Sequence, residues 1–209
     1  SGKSVLLMLY RDYLISQGIS EQNIIYLNFE DFDLLSVQSQ DQLSQLLSKR
    51  LNKNVRTYLL LDEIQMVDGW QRVVNAVRVS FNCDIVITGS NAQMLSGELA
   101  TLLSGRYVEI PVYPFSFKEF LLAKNIDPNA RQVDNAFSEY EQYGGFPSVV
   151  LASKEIKDTI LSGIYDTIIL NDVSMRSGIR DTDILSSLVA FLSDNVCLLY
   201  TSPSPRDGL

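Results

Sequence analysis

Solid apolar runs and spaced apolar recurrences take turns along this chain. Val5, Leu6, Leu7, Met8, Leu9, Tyr10, Tyr13 and Leu14 are apolar nearly all round, which predicts a helix buried against a sheet and stopped at Gly18. Asn23 to Phe29 is a β-rich run closed by the acidic turn Glu30-Asp31, and Leu43, Leu46, Leu47 and Leu51 then recur at helical spacing. Thr57 to Leu61 is a buried-strand pattern that runs straight into Asp62 and Glu63. Asp68-Gly69-Trp70-Gln71 has the spacing of a capping box, and Trp70, Val73, Val74, Val77 and Phe81 mark one face of the helix it would open. Asp84 to Thr88 reads as another short strand, ended by Gly89-Ser90-Asn91; Ala92 to Ser104 is mostly helical, and Gly105-Arg106 leads into a last strand, Tyr107 to Val112. Strands alternating with helices predict an α/β fold with a parallel sheet and right-handed crossovers, whose ligands bind outside the carboxyl ends of the strands.

From Pro114 the pattern changes. Phe115 to Leu121 is a short aromatic helix, Asp127-Pro128-Asn129 a turn, and Gln132 to Tyr143 a helix that meets the tight break Gly144-Gly145-Phe146-Pro147. Ile156, Ile160, Ile164 and Ile168 then lie on one helix face, and a final helix carries Ile184, Leu185, Leu188, Val189, Phe191 and Leu192. Cys197 to Leu209, with its Ser-Pro repeat, has no periodicity that continues that helix and is read as an unstructured, non-native tail. The chain shows no internal repeat.

Composition narrows the chemistry. The chain has 209 residues, 46% of them hydrophobic, enough for a sizeable core. A net charge of −8 gives no support to nucleic-acid binding, and Lys154, Lys157, Arg176 and Arg180 are scattered rather than clustered, so they name no partner. With no His, chemistry has to rest on carboxylates, Lys, Arg, Ser and bound Mg²⁺, which suits phosphoryl transfer. Two Cys make a disulfide framework improbable, and no apolar stretch approaches a membrane span, so a reducing, cytoplasmic setting without membrane contact is expected.

The candidate chemistry sits at two places. Gly2-Lys3-Ser4 matches the back half of G-x-x-x-x-G-K-[ST], in which backbone amides cradle phosphates, the Lys reaches the β and γ phosphates and the Ser holds Mg²⁺. Asp62, at the end of an apolar strand, suits the Mg²⁺ shell, and Glu63 suits the general base that polarises a water for in-line attack; capping the next turn or pairing with a surface Lys is the plainer role for Glu63. Asn91 has an amide that can donate to a γ phosphate and accept from the same water, or it simply forms a turn. Arg106 can be an arginine finger acting on a neighbouring copy, which requires a homo-oligomer; the alternative is a solvated Arg or one paired to Glu109.

Lys3-Ser4, Leu61-Asp62-Glu63-Ile64-Gln65, Trp70, Thr88-Gly89-Ser90-Asn91, Ser104-Gly105-Arg106-Tyr107 and Pro114 to Phe120 together resemble a prokaryotic AAA-type P-loop ATPase with a C-terminal domain of unknown function. The resemblance implies ATP and Mg²⁺ as ligands, Walker A roles for Gly2, Lys3 and Ser4, Walker B roles for Asp62 and Glu63, a sensor role for Asn91 and a finger role for Arg106. It implies an ATPase domain over residues 1–122 that lacks its first central strand, a helical segment opening a second domain over 123–196, and the tail over 197–209. The first Gly and first strand of the pattern are not in the sequence, so the chain is expected to be a fragment cut at both ends and itself inactive. In the family that strand lies inside the sheet, between Asp84–Thr88 and Tyr107–Val112, so a gap or a closed-up sheet is expected there.

Overall fold

Three parallel strands, β1 (Ile24–Asn28), β2 (Thr57–Asp62) and β3 (Cys83–Ile87), form a sheet in the order β1-β2-β3. The computed structural model describes residues 2–89, 107–168 and 182–199. Its contacts divide the chain into two units, Ser1–Tyr113 and Pro114–Leu209.

In the first unit β2 is the central strand, with Leu59, Leu60 and Leu61 all fully buried because helices cover both faces, as a solid apolar run requires. Leu59 and Leu61 join the core made with α2 (Gln40–Arg50) and α3 (Trp70–Ser80), whereas Leu60 joins Leu7 and Leu14 of α1 (Lys3–Ser16) on the opposite face. This separation follows from the period-2 alternation of side chains along a strand. Ser39 caps α2 in a reciprocal box with Gln42, and Lys49 and Arg50 in its last turn complement the helix dipole.

Several expectations are corrected. Asp68 does not cap α3; Gly69 does, at φ 70°, a left-handed conformation that suits Gly, and the N–H of Asp68 donates to the Gln38 carbonyl at 2.9 Å instead. α1 is not buried all round: Val5, Leu6, Leu9 and Tyr13 are exposed and only a Leu7/Leu14 stripe meets the sheet. Tyr107–Val112 forms no strand, and most of it is exposed. A ladder needs a neighbour, and among the described residues nothing pairs with the outer edge of β3. The segment expected to be helical over 92–104 lies outside the described residues.

The second unit builds a core from Phe120 and Leu121 of α4 (Phe117–Ala123), Ala136 of α5 (Val133–Tyr143) and Val150 of α6 (Pro147–Val150). Phe117 meets Phe137 edge-on at 5.1 Å, and Phe120 meets Tyr140 at 5.4 Å. The break after α5 is explained by a close approach: Gly145 accepts from the Phe115 N–H at 2.7 Å, and a Cβ on Gly145 would lie 2.0 Å from the Phe115 carbonyl oxygen. The expected Ile stripe is only partly realised, since α7 (Lys157–Asp166) leaves Ile156 and Ile168 outside it and buries Lys157 instead. The final helix, α8 (Thr182–Leu199), runs through Cys197 and Leu199, past the point where the sequence pattern ends it.

Lys157 Nζ donates to the Val149 carbonyl at 2.7 Å and lies 3.0 Å from Glu139, which also pairs with Lys124 at 2.9 Å. Partial burial pushes the Glu139 carboxyl up, but the two ammonium groups outweigh it and hold the group below its ordinary value. A carboxyl lowered in the folded state contributes stability above its unfolded value near pH 4.3, and that contribution fades as pH falls through the lower folded value.

Two outcomes are expected here. Gly145→Ala should destabilise the second unit by about 2 kcal/mol or more, read by urea denaturation, because backbone rather than a movable side chain occupies the space. Glu139→Gln should strip the buried Lys157 of its charge partner, and should reduce the loss of stability that the unsubstituted protein shows below about pH 4, measured as melting temperature against pH.

Candidate functional site

The direction of α1 determines what gathers at the sheet's carboxyl edge. α1 ends at Ser16 and the chain enters β1 at Ile24, so the carboxyl end of the helix lies by the amino ends of the strands. Leu14 and Leu7 share one core with Ile24, the first residue of β1, and Leu60, near the end of β2. The helix thus runs back along the strands, and its amino end points toward their carboxyl ends. Lys3 precedes Leu7 by one turn on the same helix face, and Asp62 follows Leu60 on the same face of β2.

That amino end is uncapped. Gly2 sits at φ 86° with no atom within 4 Å of where a Cβ would be, no side chain caps the helix, and its first turn holds no acid. Lys3 and Ser4 are half-buried. The first-turn amides of α1 lack intrahelical carbonyl partners, the arrangement that receives an anion at a helix N-terminus.

Asp62 is fully buried, and both neighbouring strands supply a hydroxyl to it. Tyr26 Oη donates to Oδ2 at 2.9 Å, and Thr88 Oγ1 donates to Oδ1. Register accounts for both. Tyr26 lies opposite Leu60, which makes Asp62 its diagonal neighbour on the same face, and Thr88 follows Ile87, the partner of Leu61. Burial first, and then the hydrogen bond to Asp62, push the Tyr26 phenol up to about 12, so it stays protonated and remains a donor at neutral pH.

Glu63 leaves the strand at φ 54°, an uncommon left-handed conformation for a residue with a side chain. Its N–H donates to Thr88 Oγ1 at 3.2 Å, and Gln65 Nε2 donates to its Oε2. Thr88 therefore ties the Asp62 carboxylate to the Glu63 backbone. Glu30, just past β1, is held above the usual carboxylate range first by burial and then by the charges of Glu63, Asp62 and Asp31.

Four acids thus crowd this edge, an arrangement that repels a bare polyphosphate and favours a cation. Each Asp62 oxygen accepts one hydroxyl and keeps a further lone-pair direction. Hard oxygen donors of this kind suit Mg²⁺, which is held by one or two carboxylates plus substrate phosphates rather than by an all-protein cage.

Gly2, Lys3, Ser4, Asp62 and Glu63 are therefore described, whereas Asn91 and Arg106 lie outside the described residues, as do Ser90, Arg176 and Arg180. Shallow clefts occur between α2 and α3 and beside the outer edge of β1, and neither is lined by Lys3, Ser4 or Asp62. Sequence reasoning passed over Tyr26 and Thr88 as site residues. Thr88, a hydroxyl residue just past the end of β3, offered some signal, whereas Tyr26, in the middle of β1, is set apart only by its pairing with β2.

A parallel sheet with buried and exposed acids at its carboxyl edge, faced by an uncapped helix start, is the architecture of a P-loop nucleotide-binding domain. The chain belongs to the AAA domain family, whose model matches residues 1–121, and that membership carries a nucleotide-binding, ATPase-like character. It is similar to an uncharacterized protein of Haemophilus influenzae, 62% identical over 197 residues that cover 94% of this chain and 49% of that protein. It is also similar to an uncharacterized protein of Methanocaldococcus jannaschii, 37% identical over 183 residues that cover 82% of this chain and 41% of that protein. The chain thus spans about half the length of these curated relatives or less. No solved structure matches it. Among the described residues no helix is long and apolar enough to cross a membrane.

Removing the Thr88 hydroxyl tests the geometry. Thr88→Val keeps the shape but leaves Asp62 Oδ1 and the Glu63 N–H without a partner, and should cost about 1–3 kcal/mol in chemical denaturation.

Proposed function

We propose that the full-length protein binds ATP with Mg²⁺ and hydrolyses it, and that the cycle drives a partner function of a C-terminal domain. The observation that carries this reading is a fully buried Asp62, held by hydroxyls from both flanking strands, on the same sheet face and at the same end as the uncapped start of α1. In this reading the first-turn amides and Lys3 take the phosphates, and Ser4 and Asp62 hold the metal. When bound there, Mg²⁺ would supply positive charge that offsets the charge of the phosphates. Glu63 takes a proton from the attacking water at Oε1, the carboxylate oxygen not engaged by Gln65.

Asn91 completes the reading as the sensor of the γ phosphate, and Arg106 as a finger reaching a neighbouring copy in a homo-oligomer. Residues 1–122 belong to the ATPase domain, and 123–196 open the second domain.

A second reading, a nucleotide-gated adaptor that holds ATP with little turnover, draws on the Gln65–Glu63 hydrogen bond, which already engages one oxygen of that carboxylate. Glu63→Gln in the full-length protein separates the two. If Glu63 is the base, the variant retains ATP while phosphate release falls by about 10² or more. An unchanged release rate would favour the adaptor.

A further inference from the structure

Tyr26 is half-buried on β1, and its ring packs against the Leu7/Leu14/Leu60 core beneath α1. That packing does not need the hydroxyl. Even a partly buried phenol needs an acceptor for its O–H, and here the acceptor is Asp62 Oδ2 at 2.9 Å. The contact crosses from β1 to β2 by the diagonal of the parallel register, while Thr88 reaches the other oxygen from the β3 side. The terminal torsion of an Asp side chain is broad and roughly two-fold, so one tether leaves the carboxylate free to swing. Two tethers, one per oxygen and from opposite strands, remove that freedom.

We propose that Tyr26 is a positioning residue for the metal: its hydroxyl sets the plane of the Asp62 carboxylate and so the direction in which that group offers its remaining lone pairs. The proposal rests on the ATP·Mg²⁺ reading of the site. Tyr26 itself touches neither metal nor nucleotide; it acts through Asp62, as hydrogen-bonded partners of metal ligands commonly do.

Tyr26→Phe is the discriminating change, since it keeps the ring in the core and deletes one hydrogen bond. The measurement is binding of a non-hydrolysable ATP analogue to the full-length protein, titrated with Mg²⁺ and repeated in EDTA, beside a thermal melt. The expected result is an Mg²⁺ half-saturation raised about tenfold or more, with affinity in EDTA unchanged. A half-saturation within twofold of the unsubstituted protein would overturn the proposal, whether or not the variant melts earlier, because the hydroxyl would then serve folding alone. Tyr26→Met, which also keeps apolar bulk without a hydroxyl, replaces the Phe variant if that one does not fold. Failure of both to fold would likewise overturn it. Unsubstituted protein that binds the analogue identically with and without Mg²⁺ would remove the metal reading itself, a result visible before any variant is made.

Discussion

A carboxylate with no access to solvent, held between two hydroxyls, governs the architecture of this domain. Asp62 ends a strand whose leucines are buried on both faces, so its side chain enters the interior because the strand does. An unpaired carboxylate there would cost several kcal/mol, more than most single contacts return. Tyr26 and Thr88 offset that cost, and they reach it only when β1 and β3 flank β2 in the observed parallel register. Strand order and site geometry are therefore the same constraint seen twice.

That constraint extends outward. Thr88 donates to Asp62 and accepts from the Glu63 N–H, so the buried acid and the left-handed turn beyond it share one hydroxyl. Gln65 then engages the Glu63 side chain. On the same face Leu60 seats α1, which brings the uncapped helix start toward the acids. A cluster of carboxylates at the sheet's carboxyl edge and an uncapped helix start at the same end fit the nucleotide-binding character that membership of the AAA domain family carries.

Much of the first unit was legible in the sequence because its signals are local. The solid run Thr57–Leu61 has the pattern of a strand covered on both faces, and the Leu43/Leu47 and Trp70/Val73/Val74/Val77 spacings read as the buried faces of α2 and α3. What escaped depends on partners distant in sequence. Nothing local distinguishes Tyr26 from any other aromatic on a strand, since its role exists only through pairing with β2. The D-x-x-Q spacing at Asp68 misled because the backbone turns left-handed at Gly69 and moves the cap by one residue, while reciprocal boxes form at Ser39 with Gln42 and, opening α4, at Ser116 with Glu119. Apolar residues at Tyr107–Val112 have strand propensity but, among the described residues, no ladder to join, and the all-round apolar pattern of α1 overstated its burial because one sheet covers one stripe. Gly145 read as a turn residue, whereas what requires it is the close approach of the Phe115 backbone.

The central claim is spatial: the start of α1 and the end of β2 serve one metal-bound triphosphate. Paramagnetic broadening of amide resonances by Mn²⁺ added with ATP tests it most directly. The account predicts broadening of residues 2–6, 61–64 and 88–89 together, with Asn52 to Arg56 at the opposite end of the sheet unaffected. Broadening at only one of these segments, or at the amino ends of the strands, would contradict it.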